Sequence, residues 1–435
     1  MKTDLIYGVE DRPPFKDALF AALQHLLAIF VAIITPPLII ASALKLDVEK
    51  TSFLVSMSLF ASGVSTFIQC RRFGVIGARL LCIQGTSFSF IGPIIAAGTM
   101  GGLPLIFGSC IAASTVEMFI SRILKYTKRI ITPLISGIVV TLIGMSLIKV
   151  GITACGGGAA AQADGSFGSL RHVGLAALVL LLIIAFNRSS NRYMRMSSIV
   201  IGLVIGYIVA WFMGIVDFTS IQSYGGFNLP MPFRYGLDFS ISTIIALGLI
   251  FMITAIEAYG DITANSLISG EPVEGETFVK RASGGILADG FNSMLAGMLN
   301  SFPNSVFAQN NGMIQLTGVA SRYVGYYIAG FLVILGLFPA VGLVFSLMPE
   351  PVLGGATLLM FGTVAAAGIR IIAAQEINRK ATLVMAISFS LGLSVELVPE
   401  ILCQLPETLR NIFSSGITTG GVTAILANAL IHIKE

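Results

Sequence analysis

From Phe15 onward the chain is built of apolar runs, each close to the roughly 20 residues that cross a bilayer as a helix. Reading the runs against their polar interruptions predicts spans over 17–41, 52–70, 75–98, 103–124, 131–151, 173–187, 197–216, 240–260, 284–300, 305–317, 322–338, 351–374, 381–396 and 414–433. The expected class is an all-α polytopic membrane protein with about 14 transmembrane segments. Several of these runs are short or broken by Gly, so the class rests on the whole pattern and the count on its weaker members. Two runs do not read as plain helices: Gln84-Gly85-Thr86-Ser87-Phe88-Ser89-Phe90-Ile91-Gly92-Pro93, and Phe302-Pro303-Asn304-Ser305-Val306-Phe307-Ala308-Gln309-Asn310-Asn311-Gly312. Each has β-tolerant residues at one end and small or polar residues around a break. Irregular polar backbone at membrane depth survives only where it is buried in protein or lines a cavity. Paired interrupted segments of this kind mark the binding site of many transporters.

Composition agrees with the pattern. Hydrophobic residues make up 55% of the 435 positions and charged residues 11%, with mean hydropathy +0.90, against about a quarter charged in a soluble chain. The start carries Lys2, Asp4, Glu10, Asp11 and Arg12, so a removable signal peptide is not expected. With the N-terminus inside, 20 of the 26 Lys and Arg fall on the inner side. They are Lys2, Arg12, Lys16, Arg71, Arg72, Arg79, Arg122, Lys125, Lys128, Arg129, Arg188, Arg192, Arg195, Lys280, Arg281, Arg322, Arg370, Arg379, Lys380 and Lys434. Only Lys45, Lys50, Lys149, Arg171, Arg234 and Arg410 fall outside. This bias predicts an even number of spans with both termini cytoplasmic. The net charge of +4 is then a topology signal, and no nucleic-acid partner is expected. Cys70, Cys82, Cys110, Cys155 and Cys403 are scattered, and His occurs only at 25, 172 and 432, so no metal or redox site is expected.

The chain also repeats itself. Pro133, Gly137 and Gly144 recur 218 residues later as Pro351, Gly355 and Gly362, and the same offset carries Ser87 onto Ser305. Two halves, 1–216 and 217–435, with seven spans each would enter the membrane in opposite senses, the inverted repeat common among secondary transporters.

The stretch Gln309-Asn310-Asn311-Gly312-Met313-Ile314-Gln315-Leu316-Thr317-Gly318 has the form Q-N-x-G-x-x-x-x-T-G. It resembles the signature of the nucleobase–ascorbate transporter family, also called nucleobase–cation symporters. The resemblance extends from Asp11-Arg12-Pro13-Pro14-Phe15 to Gly420-Gly421-Val422-Thr423-Ala424. It is nearest to the bacterial xanthine permease branch, through Ile148-Lys149-Val150-Gly151-Ile152, Gly318-Val319-Ala320-Ser321-Arg322-Tyr323-Val324-Gly325 and Gly368-Ile369-Arg370-Ile371-Ile372. The resemblance implies a bacterial inner-membrane protein with a core domain holding the site and a gate domain pairing in a homodimer. It also implies short antiparallel strands in the broken third and tenth segments, continuing into half-helices whose N-termini face the ligand.

Ionisable residues at membrane depth mark ion or substrate paths. Within the spans these are Glu117, Glu257, Asp261 and Asp289. Glu257 and Asp261 are four apart and share a helix face. Glu257 resembles the family acid that binds the nucleobase, and Asp289 the acid of the next helix. A carboxylate accepts from ring N–H groups, and Gln309 offers both a donor and an acceptor to the neighbouring edge of a purine. Phe88 is placed to stack on the ring. Ser87 and Ala308 complete the expected binding set. Asp289, His25, Asp261, Asn310, Thr317 and Gly318 are expected to couple protons or support the site. Each has a plainer reading: a structural carboxylate for Glu257, Asp289 or Asp261, an orienting hydrogen bond for His25, a helix break for Asn310, packing for Thr317 and Gly318. Glu117 matches no motif, and a structural role is expected for it. H⁺ is the expected coupling ion, ahead of Na⁺, since no compact oxygen-rich cation site is evident, and no cofactor is expected.

Gln309 favours a purine over uracil, because the uracil branch carries an acid there. Ser87 stands where xanthine-selective members usually carry Asn, and the smaller side chain predicts uric acid uptake beside xanthine. The alternatives are a symporter of uracil or another nucleobase, or an anion exchanger or channel of the same architecture, which fold alone does not exclude. A membrane enzyme lacks any visible nucleophile–base pair or metal cluster.

Overall fold

The computed structural model describes residues 5–127, 132–191, 194–195, 197–216, 229–406, 409–410, 413 and 415–431. Lys2, Asp4, Lys128, Arg129, Arg192, His432 and Lys434 lie outside the described residues, as does 217–228, just past the expected boundary between the halves.

The first half runs α1 (Phe15–Ala43), α2 (Val48–Arg71), β1 (Gln84–Thr86), a 3₁₀ turn (Phe88–Phe90), α3 (Ile91–Thr127), α4 (Pro133–Cys155), α5 (Gly158–Asp164), α6 (Leu170–Asn187) and α7 (Ser198–Phe212). The second runs α8 (Ile241–Ile268), α9 (Gly275–Met298), β2 (Asn304–Val306), α10 (Gln309–Thr317), α11 (Arg322–Leu337), α12 (Pro339–Ser346), α13 (Glu350–Ala373), α14 (Arg379–Leu397) and α15 (Gly416–Leu430). Their starts follow local chemistry. Asp47 accepts the Lys50 N–H at the head of α2, and Asn378 accepts the Ala381 N–H at the head of α14. Both satisfy donors that a helix end leaves free. Pro sits in the first turn of α4 and of α13, where its missing N–H costs nothing.

Among the described residues eight helices are long and apolar enough to cross a membrane, and the pair α11–α12, bent by 76°, makes a ninth if read as one span. This count does not confirm the expected 14, and two of the predicted spans are not single long helices. Predicted span 75–98 begins as irregular chain and becomes helical only at Phe88. Predicted span 305–317 holds a strand and a helix of only 9 residues. The predicted break between 98 and 103 is real: α3 loses helical geometry at Gly102, with φ 67° and ψ −162°.

β1 and β2 pair antiparallel, with Gln84 opposite Val306, Gly85 opposite Ser305 and Thr86 opposite Asn304. The pairing continues outward through Ser87 N–H to Pro303 O (2.9 Å) and Phe307 N–H to Ile83 O (3.0 Å). Side chains finish the accounting: Thr66 Oγ1 accepts the Gln84 N–H at 3.0 Å, and Ser293 Oγ accepts the Asn304 N–H at 3.1 Å. Backbone polar groups with no water nearby must be paired inside the protein, and three residues per strand suffice because flanking helices supply the rest.

The residues related by the 218-residue offset do not play equal parts. α4 and α13 pack along their lengths, and a Cβ on Gly144 would meet the Ala365 N at 2.3 Å. Its counterpart Gly362 faces open space. The small side chains let α4 approach α13 closely, the usual device where lipid gives no hydrophobic drive between helices.

Candidate functional site

The strand pair organises the candidate site. Each strand ends in a helical segment, so Phe88 heads the turn into α3 and Gln309 heads α10. Ser87 precedes the 3₁₀ turn and Ala308 precedes α10, and neither side chain caps its helix. Two free helix N-termini therefore start on either side of one buried crossing, where their dipoles favour an electron-rich partner. Phe88 packs edge-on against Phe361 of α13, ring centroids 5.6 Å apart.

The acids lie around this crossing. Glu257 of α8 accepts from Ser89 Oγ at 3.4 Å, so the turn carrying Phe88 also holds the α8 carboxylate. Asp289 of α9 is fully buried, and its Oδ1 accepts from the Gln84 amide at 2.5 Å. Gln84 lay in a segment the sequence singled out, yet no role fell to it; its polar side chain in a buried strand was the available signal. Asp261 is half-buried, its Oδ2 has no partner among the described residues, and its backbone oxygen accepts from Asn311 at 3.3 Å. Among the described residues no hydrogen bond ties the Asp261 side chain to the strand crossing.

The signature motif divides its work residue by residue. Gln309 and Ala308 are exposed, as is Gly312 one turn on, and the Gln309 amide makes no side-chain hydrogen bond among the described residues. Asn310 turns inward: its Nδ2 donates to the Leu81 oxygen and its Oδ1 meets His25 Nδ1 at 2.7 Å. The Leu81 contact fixes the amide orientation, so His25 Nδ1 is the donor, and His25 Nε2 is left without a partner among the described residues. Asn311, which the sequence reading passed over, accepts from Asn265 of α8 at 2.9 Å, and Asn265 also reaches the Leu81 oxygen at 2.9 Å. Thr317 bonds back to Met313 O at 2.8 Å and accepts the Val319 N–H at 3.2 Å, while Gly318, with φ 69°, ends α10 in the left-handed conformation. The Gly318 oxygen then receives the N–H groups of Ile6 (2.8 Å) and Tyr7 (3.2 Å), which latches the N-terminal segment onto the end of the motif. A surface cleft between the starts of α4 and α14, lined by Thr132, Pro133, Glu376, Lys380 and Asn428, contains none of these residues.

The Permease family model (Xan_ur_permease) matches residues 16–401. Xanthine permease XanP of Escherichia coli is 51% identical over 438 residues, covering 98% of this chain and 95% of the relative. The chain belongs to the nucleobase–ascorbate transporter family. Xanthine permease XanQ of Escherichia coli is 47% identical over 438 residues, covering 99% of this chain and 94% of that one. Members are permeases, so this permease is a transporter and not an enzyme. Its fold is shared with the transmembrane domain of a cyanobacterial bicarbonate transporter, BicA. The TM-score is 0.57 at 12% identity, with coverage of 98% of this chain and 100% of that one.

Proposed function

We propose that this permease carries purine nucleobases into the cell by proton-coupled symport, xanthine first and uric acid with it. The observation that carries the reading is the strand crossing, which joins three recognition elements to one rigid unit: the Phe88 turn, the Glu257 carboxylate tied to that turn, and the free Gln309 amide. A xanthine-like edge alternates N–H donors and C=O acceptors. Glu257 accepts from ring N–H, Gln309 matches the neighbouring edge, and Phe88 covers the ring face. The names of the two E. coli relatives support a xanthine-class substrate. Ser87, smaller than Asn, leaves room for the extra oxygen of uric acid on the five-membered ring.

In this reading Asp289 and Glu257 exchange the coupled proton, H⁺ serves rather than Na⁺, and no cofactor takes part. The halves 1–216 and 217–435 form an inverted repeat of seven spans each, interleaved into a core and a gate domain. The gate pairs in a homodimer, and the core moves against it by alternating access. The protein sits in the bacterial inner membrane with both termini cytoplasmic. The anion-exchange reading draws on the shared fold alone. A half-buried carboxylate at 257 and a fully buried one at 289 repel an anion and disfavour it.

Radiolabelled xanthine uptake in cells, with and without a protonophore, tests the proposal on wild type and Glu257→Gln. Uptake should collapse under both changes. Robust uptake by the variant would remove Glu257 from the site, and a well-expressed wild type without xanthine uptake would overturn the substrate.

A further inference from the structure

On the side of Asp289 away from Gln84, the packing of α3 against α9 brings in a second carboxyl. A Cβ on Gly290 would meet Met118 N and Ser114 O at 3.0 Å each, so the two backbones touch one residue away from both Glu117 and Asp289. Glu117 and Asp289 are both fully buried and lie carboxyl to carboxyl within hydrogen-bonding reach. Asp289 Oδ1 is occupied by Gln84, whereas Asp289 Oδ2 and both Glu117 oxygens have no donor among the described residues. The other titratable groups facing the pair are Glu257 and Asp261 on α8 and Cys82 ahead of β1, all acidic. The nearby cation, Arg281, is paired with Glu271 at 2.5 Å.

An ionised carboxylate has no proton to donate. Two of them facing each other in a dry site repel, and a single proton between them turns the repulsion into a hydrogen bond that belongs to the pair.

We propose that Glu117 is a positioning residue for transport, sharing one proton with Asp289 so that the Asp289 carboxyl stays docked on Gln84 of β1. This deepens the transport reading above and rests on it. The proton lies between a Glu117 oxygen and Asp289 Oδ2, leaving Oδ1 to accept from Gln84. When the proton leaves, the paired carboxylates repel, and the Asp289 carboxyl is driven away from Glu117 and against Gln84. The strand crossing that carries Phe88 and Gln309, held to α9 by this bond and by Ser293, is displaced with it. Proton occupancy of one acid pair therefore sets the position of the substrate turn.

The test uses the purified permease in lipid and infrared difference spectra between acidic and alkaline buffer, beside xanthine uptake across the same pH range. Wild type should show the C=O stretch of protonated carboxyls, to which Glu257 also contributes. Glu117→Gln, whose amide is a permanent donor to Asp289, should lose the pair's part of that band and flatten the pH profile of uptake, with turnover falling more than KM rises. Asp289→Asn gives a second spectrum if the first variant misfolds, since its amide donates to Glu117 and the same part of the band should vanish. A band of undiminished intensity in the variants, or a wild-type pH profile in Glu117→Gln, would overturn the shared proton. A wild type that shows the band but takes up no xanthine would support the shared proton and refute the substrate, which separates the two failures.

Discussion

Replacing Gly85 with Ala adds one methyl at the point where the strands cross. A Cβ there meets Phe307 Cζ at 2.5 Å, Phe307 Cε2 at 2.6 Å and Ile33 Cγ1 at 2.8 Å. Apolar carbons rest about 3.5–4.0 Å apart, so the methyl overlaps its neighbours by about 1 Å on two sides. Neither neighbour can swing into solvent. Phe307 is 4% exposed and Ile33 0%, and the Phe307 backbone is tied to Ile83. Overpacking of this kind costs about 1–3 kcal/mol. Gly85 sits opposite Ser305, so the strain falls on the register that positions Phe88 and Gln309. If it falls wholly on the transport-competent arrangement, uptake drops by roughly 5- to 150-fold. Gly330→Ala is the control: Gly330 is exposed on α11 with no atom within 4 Å of the added carbon, and Ala there gains about 0.5–1 kcal/mol of helix stability. The assay is the melting temperature in detergent together with initial xanthine uptake at matched expression. Gly85→Ala should lower both, and Gly330→Ala should leave uptake unchanged and melting the same or higher. Wild-type melting and uptake in Gly85→Ala would refute the idea that the crossing is a rigid, fully packed unit.

Four further outcomes are expected. Ser89→Ala removes the 3.4 Å bond to Glu257 and should raise the xanthine KM roughly two- to tenfold, the value of about 0.5–1.5 kcal/mol for an ordinary hydrogen bond; an unchanged KM would deny Ser89 any part in orienting the acid. Ser87→Asn should narrow uric acid uptake more than xanthine uptake in a competition assay, and equal losses would count against a size filter at 87. Partial burial pushes the Glu10 carboxyl up, but hydrogen bonds from Arg322 and Arg79 outweigh it and hold the group below its ordinary value. A depressed folded-state value means that the Glu10–Arg322 ion pair is fully present above about pH 4.3 and is lost as pH falls through the folded value. The pair is half exposed, so its worth is about 0–1 kcal/mol. Hydrogen exchange at Tyr7 and Arg322, corrected for intrinsic rates, should show protection falling on acidification, and protection that holds or rises would contradict the sign. Among the free cysteines only Cys403 is exposed; a membrane-impermeant maleimide should label it from outside the cell and spare Cys70, Cys82 and Cys110, whereas labelling from the cytoplasmic side alone would reverse the proposed topology.

Sequence by itself determined the class. Long apolar runs with few charges leave no other fold open, because unpaired backbone in lipid costs several kcal/mol per group, and this logic reads directly from residue order. It also located the two segments that refuse to be helices: Ser, Thr and Asn beside Pro and Gly at 84–93 and 302–312 became β1, β2 and the turns after them. What sequence could not give was the partner of each polar side chain. Gln84 and Asp289 are 205 positions apart and His25 and Asn310 are 285 apart, and no local periodicity relates such pairs. Glu117 matched no motif and read as a structural acid; the close approach of α3 to Gly290 made it the neighbour of Asp289. The motif read as one block, yet Gln309 faces outward, Asn310 faces α1 and Asn311 faces α8. Consecutive positions on a helix point about 100° apart, so their separate roles follow from the orientation of α10, which the strand crossing sets and the sequence alone does not.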